Sequence, residues 1–307
     1  MPAQTQYEIE DPQAVPLGFP NLLIGDVALT LEGLSISDMP LSRAMRAFHS
    51  HRKDIDIQVK VEWAKNVRPL DREKAFDSGG VWSLHRDRSE LVWDFASPSF
   101  EGRCYKSMRT NCDFRLVRLI LDREVLDGHA AVYPLEYPAD ELLFTNYLAR
   151  HALGVEVHGC GLIDREHGSF LFLGHSGSGK STTTRLWKSY RNPEVLSDDR
   201  IILRIQDGEL WMYGTPWHGE AKFASPAKAK LKRIFILQHG TQNKMVELPR
   251  ARAVGEMFAR CFPPFHSALG LSNTLEFLHR VVNLVPCYEL NFLPNASAVE
   301  AAIGFLG

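Results

Sequence analysis

Apolar and polar positions alternate through most of the first 125 residues. Residues 26–34 (DVALTLEGL) and 55–63 (IDIQVKVEW) alternate apolar with polar residues, as a half-buried strand should. Residues 81–95 (VWSLHRDRSELVWDF) set a polar turn between two such runs and predict a hairpin. A further strand is predicted over 115–124 (RLVRLILDRE), and only 40–50 (PLSRAMRAFHS) has a helical pattern. The first part of the chain therefore reads as a small β-rich module.

The period lengthens after the proline-marked stretch 131–140 (AVYPLEYPAD). In 141–152 (ELLFTNYLARHA), Leu143, Phe144, Tyr147 and Leu148 share one helical face. Short apolar strands are predicted at 169–174 (SFLFLG), 233–237 (RIFIL) and 287–293 (CYELNFL). Helices are predicted at 181–191, 251–262 and 272–285, with a last one starting near Asn295. These readings divide the chain into a β-rich module, 1–130, and an α/β domain, 131–307.

With 307 residues, 45% of them hydrophobic and 23% charged, the chain can build one large or two modest cores. Lys plus Arg (35) nearly balance Asp plus Glu (37), giving a net charge of −2. No global field would gather nucleic acid or an anionic membrane, so neither is an expected partner and recognition must be local. The five cysteines lack metal-ligand spacing and fit a reducing compartment. Residues 1–13 are polar and acidic, unlike a signal peptide, and no apolar run reaches membrane-spanning length. These features together predict a cytoplasmic protein.

The segment 169–187 (SFLFLGHSGSGKSTTTRLW) contains the candidate chemistry. From Gly174 to Ser181 it fits the spacing G-x-x-x-x-G-K-[ST], between a predicted strand and a predicted helix. Glycines in such a loop let the backbone turn tightly and aim N–H groups at phosphate oxygens. The following helix contributes the positive end of its dipole. Lys180 would neutralise the β and γ phosphates, and the Ser181 hydroxyl can take a coordination position on Mg²⁺. The expected nucleotide-binding residues are Gly174, His175, Ser176, Gly177, Ser178, Gly179, Lys180, Ser181 and Thr182, and the expected ligands are ATP and Mg²⁺.

Neither a guanine-reading N-K-x-D nor an L-S-G-G-Q signature follows the loop, and no run of four apolar residues ends in Asp-Glu. Instead, residues 194–205 (EVLSDDRIILRI) place Asp198 and Asp199 far enough beyond Lys180 for one helix and a returning strand. On a strand the two carboxylates would face opposite ways unless a bulge intervenes. One could then hold Mg²⁺, and the other could accept a hydroxyl proton. Arg200 could steady the pair or reach the transferred phosphoryl group. Lys228, Lys230 and Lys232 alternate as if along one strand face, which would be a solvated face or a landing strip for an acidic peptide.

Taken in order, VHGCGLI (157–163), GHSGSGKST (174–182) and LSDDRIIL (196–203) resemble the C-terminal catalytic domain of HPr kinase/phosphorylase and the broader HPr-kinase-like set. GTPWHGE (214–220) is similar to members of the broader set. The resemblance spans roughly residues 135–240 and extends more loosely beyond, whereas the first 130 residues do not share it. It implies an α/β P-loop kinase core of the HPr kinase and phosphoenolpyruvate carboxykinase type. It also implies that Lys180 binds phosphate, Ser181 binds Mg²⁺, Asp199 is the catalytic base, and Asp198 assists Lys180 and the metal. His158 matches an active-site histidine and Glu220 a metal-binding glutamate, although the segment around Glu220 departs from the family's R-G-L-G-type pattern.

The activity implied is ATP-dependent phosphorylation of a serine on a protein or peptide, as in relatives that serve peptide biosynthesis, including that of lasso peptides. HPr kinases assemble into oligomers, so the resemblance also allows a homo-oligomer. The loop itself does not select the acceptor. Transfer to a small-molecule hydroxyl, and an ATP-sensing module with little turnover, stand as alternatives.

Overall fold

The computed structural model describes residues 21–33, 41–127 and 133–304. The readings of the polar N-terminus, of the start of the 40–50 helix and of the first residues of the 131–140 stretch lie outside the described residues. Two compact units emerge, divided between Leu143 and Phe144, with Ile24–Asp26 belonging to the second. That division falls within a helix, Ala139–Arg150, beyond the expected boundary at 130/131.

The first unit is built on one eight-stranded mixed sheet. Its strands are β1 (Asn21–Ile24), β2 (Val27–Glu32), β3 (Ile57–Ala64), β4 (Lys74–Asp77), β5 (Trp82–Asp87), β6 (Glu90–Ala96), β7 (Cys104–Asn111) and β8 (Leu116–Asp122). They run in the order β1-β2-β3-β8-β7-β6-β5-β4. The expected alternation is realised in β3, where Ile57, Val59 and Val61 are buried while Gln58 and Lys60 are exposed. Residues 81–95 do form a hairpin, β5 with β6, turning at Arg88 in the left-handed region (φ 55°). Two short helices, α1 (Arg43–Ala47) and α2 (Arg123–Leu126), accompany the sheet. Lys106 on β7 is fully buried, donating to the carbonyls of Pro134 and Glu136 at 3.3 and 3.4 Å. Burial pulls its pKa down, and the Glu136 carboxylate, 3.7 Å away, opposes that shift.

In the second unit a nine-stranded mixed sheet is flanked by helices. After α3 (Ala139–Arg150) come β9 (Gly154–Asp164), β10 (Gly168–Leu173), α4 (Lys180–Tyr190), β11 (Glu194–Ser197), β12 (Arg200–Gln206) and β13 (Glu209–Tyr213). The chain continues through β14 (Lys228–Lys230), β15 (Arg233–His239), β16 (Lys244–Glu247), α5 (Arg250–Phe258), α6 (Ala268–Leu284), β17 (Cys287–Phe292) and α7 (Ala296–Gly304). The strand order is β14-β13-β12-β9-β10-β15-β17-β16, with β11 also pairing β9. β10, β15 and β17 are mutually parallel.

The continuous apolar run in β10 reflects burial on both faces. Phe170 and Phe172 enter one core with Trp187 of α4, Phe235, Tyr288 and Val299 of α7. Leu171 and Leu173 enter another with Ile234, Ile236 and the Leu278–Val281 face of α6. Because side chains alternate along a strand, the sequence FLFL supplies two cores at once.

Two helix predictions need adjustment. The helix expected over 251–262 stops at Phe258, and residues 260–262 pair instead with β9: His158 N donates to Arg260 O and Phe262 N to Glu156 O. Pro263 and Pro264 follow, neither of which can donate to a continuing helix. The last long helix begins earlier than expected, at Ala268, where the Ser267 hydroxyl caps it by accepting from Gly270 N at 3.1 Å. Among the described residues no helix is long and apolar enough to cross a membrane.

Candidate functional site

Strand β10 delivers the chain into the glycine-rich loop, and α4 carries it away. Gly179 stands just before α4 with φ 98°, and a Cβ there would lie 2.5 Å from the Phe292 ring, so only glycine fits. At Gly174 a Cβ would strike the Ser178 hydroxyl, so the loop closes tightly on itself. No side chain caps the start of α4, which leaves its first-turn amides to the loop side, with Ser181 and Thr182 half-buried beside them. Lys180 is buried and donates from Nζ to the carbonyls of Gly174 and His175 at 3.0 and 3.1 Å. The loop is braced from β15, where His239 Nε2 lies 2.8 Å from Gly177 O.

Asp198 and Asp199 do not continue a strand. They form the bend between β11 and β12, both of which pair with the same edge of β9. This irregularity separates the fates of the two carboxylates. Asp198 is buried and accepts from three backbone amides: Gly219 and Phe223 to Oδ1 at 3.0 and 3.2 Å, and Ala221 to Oδ2 at 2.8 Å. Its direct contacts therefore hold the 219–223 segment. Asp199 turns the other way, placing Oδ1 3.1 Å from His158 Nε2 and Oδ2 3.4 Å from Arg200 Nε.

Burial alone would push the Asp199 carboxyl up. The His158 hydrogen bond, with the charges of His158, Arg200 and Lys180, outweighs burial and holds it below the usual carboxylate range. Lys180 feels the converse. Burial lowers its pKa, while Asp199 and, more weakly, Asp198 act to keep it charged. Lys180 and Asp199 are thus near enough for each to feel the other's charge.

His158 is brought here by β9, whose register sets it opposite Arg200 of β12. Its own carbonyl receives Gly174 N at 3.4 Å, and Gly159 N donates to Asp199 O at 2.9 Å. One strand therefore fixes the histidine, the aspartate and the first glycine of the loop. Arg200 is clamped by the buried Glu156 at 3.2 Å and lies over the Phe262 ring, 4.8 Å from its centroid. It is held chiefly as a structural ion pair.

Sequence reasoning missed Arg260. It follows the last turn of α5, buried, with Nη1 held by Glu256 at 2.6 Å and its Nε without a partner. Its charge reaches both Lys180 and His175. Burial, then Arg260, then His158 push the His175 pKa down, with Glu256 opposing, so this loop histidine favours its neutral form.

Other predicted residues stand apart. Glu220 is exposed, and the structure shows no contact of its carboxylate with the loop or with Asp199. Lys228 and Lys230 do lie on a short strand, β14, but each is already engaged: Lys228 over the Trp211 and Tyr213 rings, Lys230 with Glu209 at 2.5 Å. Lys232 falls beyond that strand.

The residues present fit a phosphate. Ser178 Oγ is buried in the loop without a hydrogen-bond partner, beside a positive helix end and a buried lysine. Among the described residues no three His, Cys, Asp or Glu side chains converge to hold a metal by themselves. Such a donor set suits Mg²⁺ only where substrate phosphates and water complete its shell. Neither protein-family models nor curated proteins give a match to this chain.

Proposed function

We propose that this chain is an ATP- and Mg²⁺-dependent kinase of the HPr-kinase-like kind. It would transfer the γ-phosphoryl group to a serine or other hydroxyl of a protein or peptide. The observation that carries this reading is Asp199: a carboxylate kept ionised by His158, opposite Lys180 at the end of the glycine loop. A nucleotide-binding loop alone does not need such a base.

In this reading the loop amides, the α4 N-terminus and Lys180 hold the β and γ phosphates, the lysine exchanging its two carbonyl partners for phosphate oxygens. Mg²⁺, when bound, would neutralise phosphate charge, with Ser181 the residue expected to hold it beside the phosphate oxygens and water. Asp199 accepts the proton of the acceptor hydroxyl as that oxygen bonds to the γ phosphorus. The bond to the β–γ bridging oxygen breaks and ADP leaves. His158 orients Asp199, and Arg260 adds positive charge beside the phosphates.

The test uses γ-labelled ATP with the purified full chain and an extract separated into macromolecular and small-molecule fractions. Label is expected in protein or peptide. The Asp199→Asn variant should bind ATP within about threefold of wild type yet transfer about 10²- to 10⁴-fold more slowly. Undiminished transfer by that variant would overturn the assignment of the base. Label confined to small molecules would make the acceptor a metabolite, and binding without any transfer would make the chain a sensor.

A further inference from the structure

Between α5 and α6 the chain runs through residues 259–267, and from 261 to 275 it contains no Asp, Glu, Lys or Arg. This segment begins at the candidate site. Cys261 bridges Val157 of β9, so Phe262 comes opposite Glu156 and lies on the same face as His158. The Phe262 ring centroid is 6.1 Å from that of His158 and 4.8 Å from Arg200 Cζ, the two side chains that contact Asp199. Phe262 is half-buried, and the His158 and Asp199 side chains are 26% and 30% exposed, so all three keep surface that a bound molecule can cover.

Three residues on, Phe265 is 62% exposed, although the turn that carries it is firmly anchored. Pro263 and Pro264 are buried, Ser267 N donates to Pro264 O at 2.9 Å to close the turn, and the Ser267 hydroxyl caps α6. A Cβ on Gly270 would strike the Pro264 ring, so the turn is pressed onto the start of α6. Phe258 stands edge-on to Phe265 with ring centroids 6.4 Å apart, and Leu269 of α6 is also exposed. An aromatic ring fixed in water gains free energy when covered, and because it is already ordered little rotamer freedom is lost on binding. Three residues of chain span at most about 11 Å, so a polypeptide lying on Phe265 also reaches Phe262 and the base. A small metabolite bound at Asp199 would leave Phe265 bare, and nothing charged in 261–275 favours a charged partner.

Granted the phosphoryl transfer proposed above, on which this rests, we propose that Phe262 and Phe265 form the acceptor subsite. They seat apolar side chains of a polypeptide, within about four residues of the hydroxyl that Asp199 deprotonates. Phe262 receives the side chain nearest that hydroxyl, and Phe265 anchors one further along. Selection is by apolar contact, so a peptide with charged residues in these places is a poor acceptor.

Blocked nonapeptides test this, each with a central serine in an alanine background and a Leu, Asp or Lys placed in turn at every other position. They are given to the full chain with Mg²⁺ and γ-labelled ATP, in parallel with the macromolecular extract. Leu at one or two positions is expected to raise kcat/KM about tenfold or more over Ala, whereas Asp and Lys should not raise it. Phe265→Ser should remove that advantage, with the loss in KM and not in kcat, and Phe265→Leu should restore most of it. Thermal unfolding and ATP affinity show whether each variant is folded; if Phe265→Ser is not, Phe265→Gln takes its place. Where only extract protein takes label, the same variants are compared on that protein. Transfer without a Leu preference, or transfer that Phe265→Ser leaves unchanged, would overturn the subsite and leave the kinase standing. No transfer to any peptide or extract protein would overturn both. An oligomer that Phe265→Ser dissociates in light scattering, with KM unmoved, would make the turn a contact between copies and overturn the subsite as well.

Discussion

Adjacent aspartates with the same side chain do different work here because one bend points them apart. Asp198 satisfies three amides that have no other acceptor in the structure. Each donor left unmet costs roughly 1–3 kcal/mol, offset in part by water, so Asp198→Ala should lose about 2–4 kcal/mol in urea unfolding. Unchanged stability with an altered Mg²⁺ requirement would instead assign Asp198 to the metal. Asp199 shows its role in pH dependence. Its carboxyl is held below the ordinary range of about 4, so the acid limb of kcat/KM for phosphoryl transfer should lie below that value. The sign for stability agrees: a depressed carboxyl adds stability above its unfolded pKa and loses it as pH falls through the folded one. Removing the largest opponent of burial, in His158→Ala, should move the limb to higher pH. A limb that stays in place would separate His158 from Asp199.

At the scale of elements, the strand, loop and helix around Lys180 were legible because glycine spacing and an apolar run are local signals. Gly179 is the junction on which they depend. Gly179→Ala forces a side chain into the left-handed region and against Phe292, at about 1–2 kcal/mol for the backbone alone. ATP affinity measured by calorimetry should fall about tenfold or more, and wild-type affinity in this variant would mean that the loop tolerates the shift. What was not legible depended on distant partners. The amides that occupy Asp198 come from 219–223, and nothing near the aspartate pair in sequence announces them. Arg260 fell inside the helix predicted over 251–262; the proline pair after Phe262 was the signal that α5 ends early, and the residue is buried. The alternating pattern identified β2, β3 and the β5–β6 hairpin, yet alternation is silent on order, so the parallel pairing of β3 with both β2 and β8 could not be read from it.

For the whole molecule, the length allowed one large or two modest cores, and the chain folds as two compact units, each with its own mixed sheet. The residues proposed to hold nucleotide all lie in the second unit. Scanning calorimetry should therefore resolve two transitions, with ATP and Mg²⁺ raising only one. At a hundredfold excess over Kd the gain is about 2.7 kcal/mol for that unit. Lys180→Ala should abolish the shift while leaving the other transition in place. A single transition that moves as a whole would show that the units unfold together.

The eleven-residue strand β9 has a consequence for how this protein can change. His158, the Asp199 backbone, the Arg260 carbonyl and the Gly174 amide all take their height from it. Inserting or deleting one residue within it would flip His158 to the opposite side of the sheet and break the bond that its carbonyl makes to the Gly174 amide. Lengthening the hairpin tip at Asp207–Gly208 would disturb none of those bonds. Variation in chain length is thus permitted at the margins of the second sheet and forbidden along its middle.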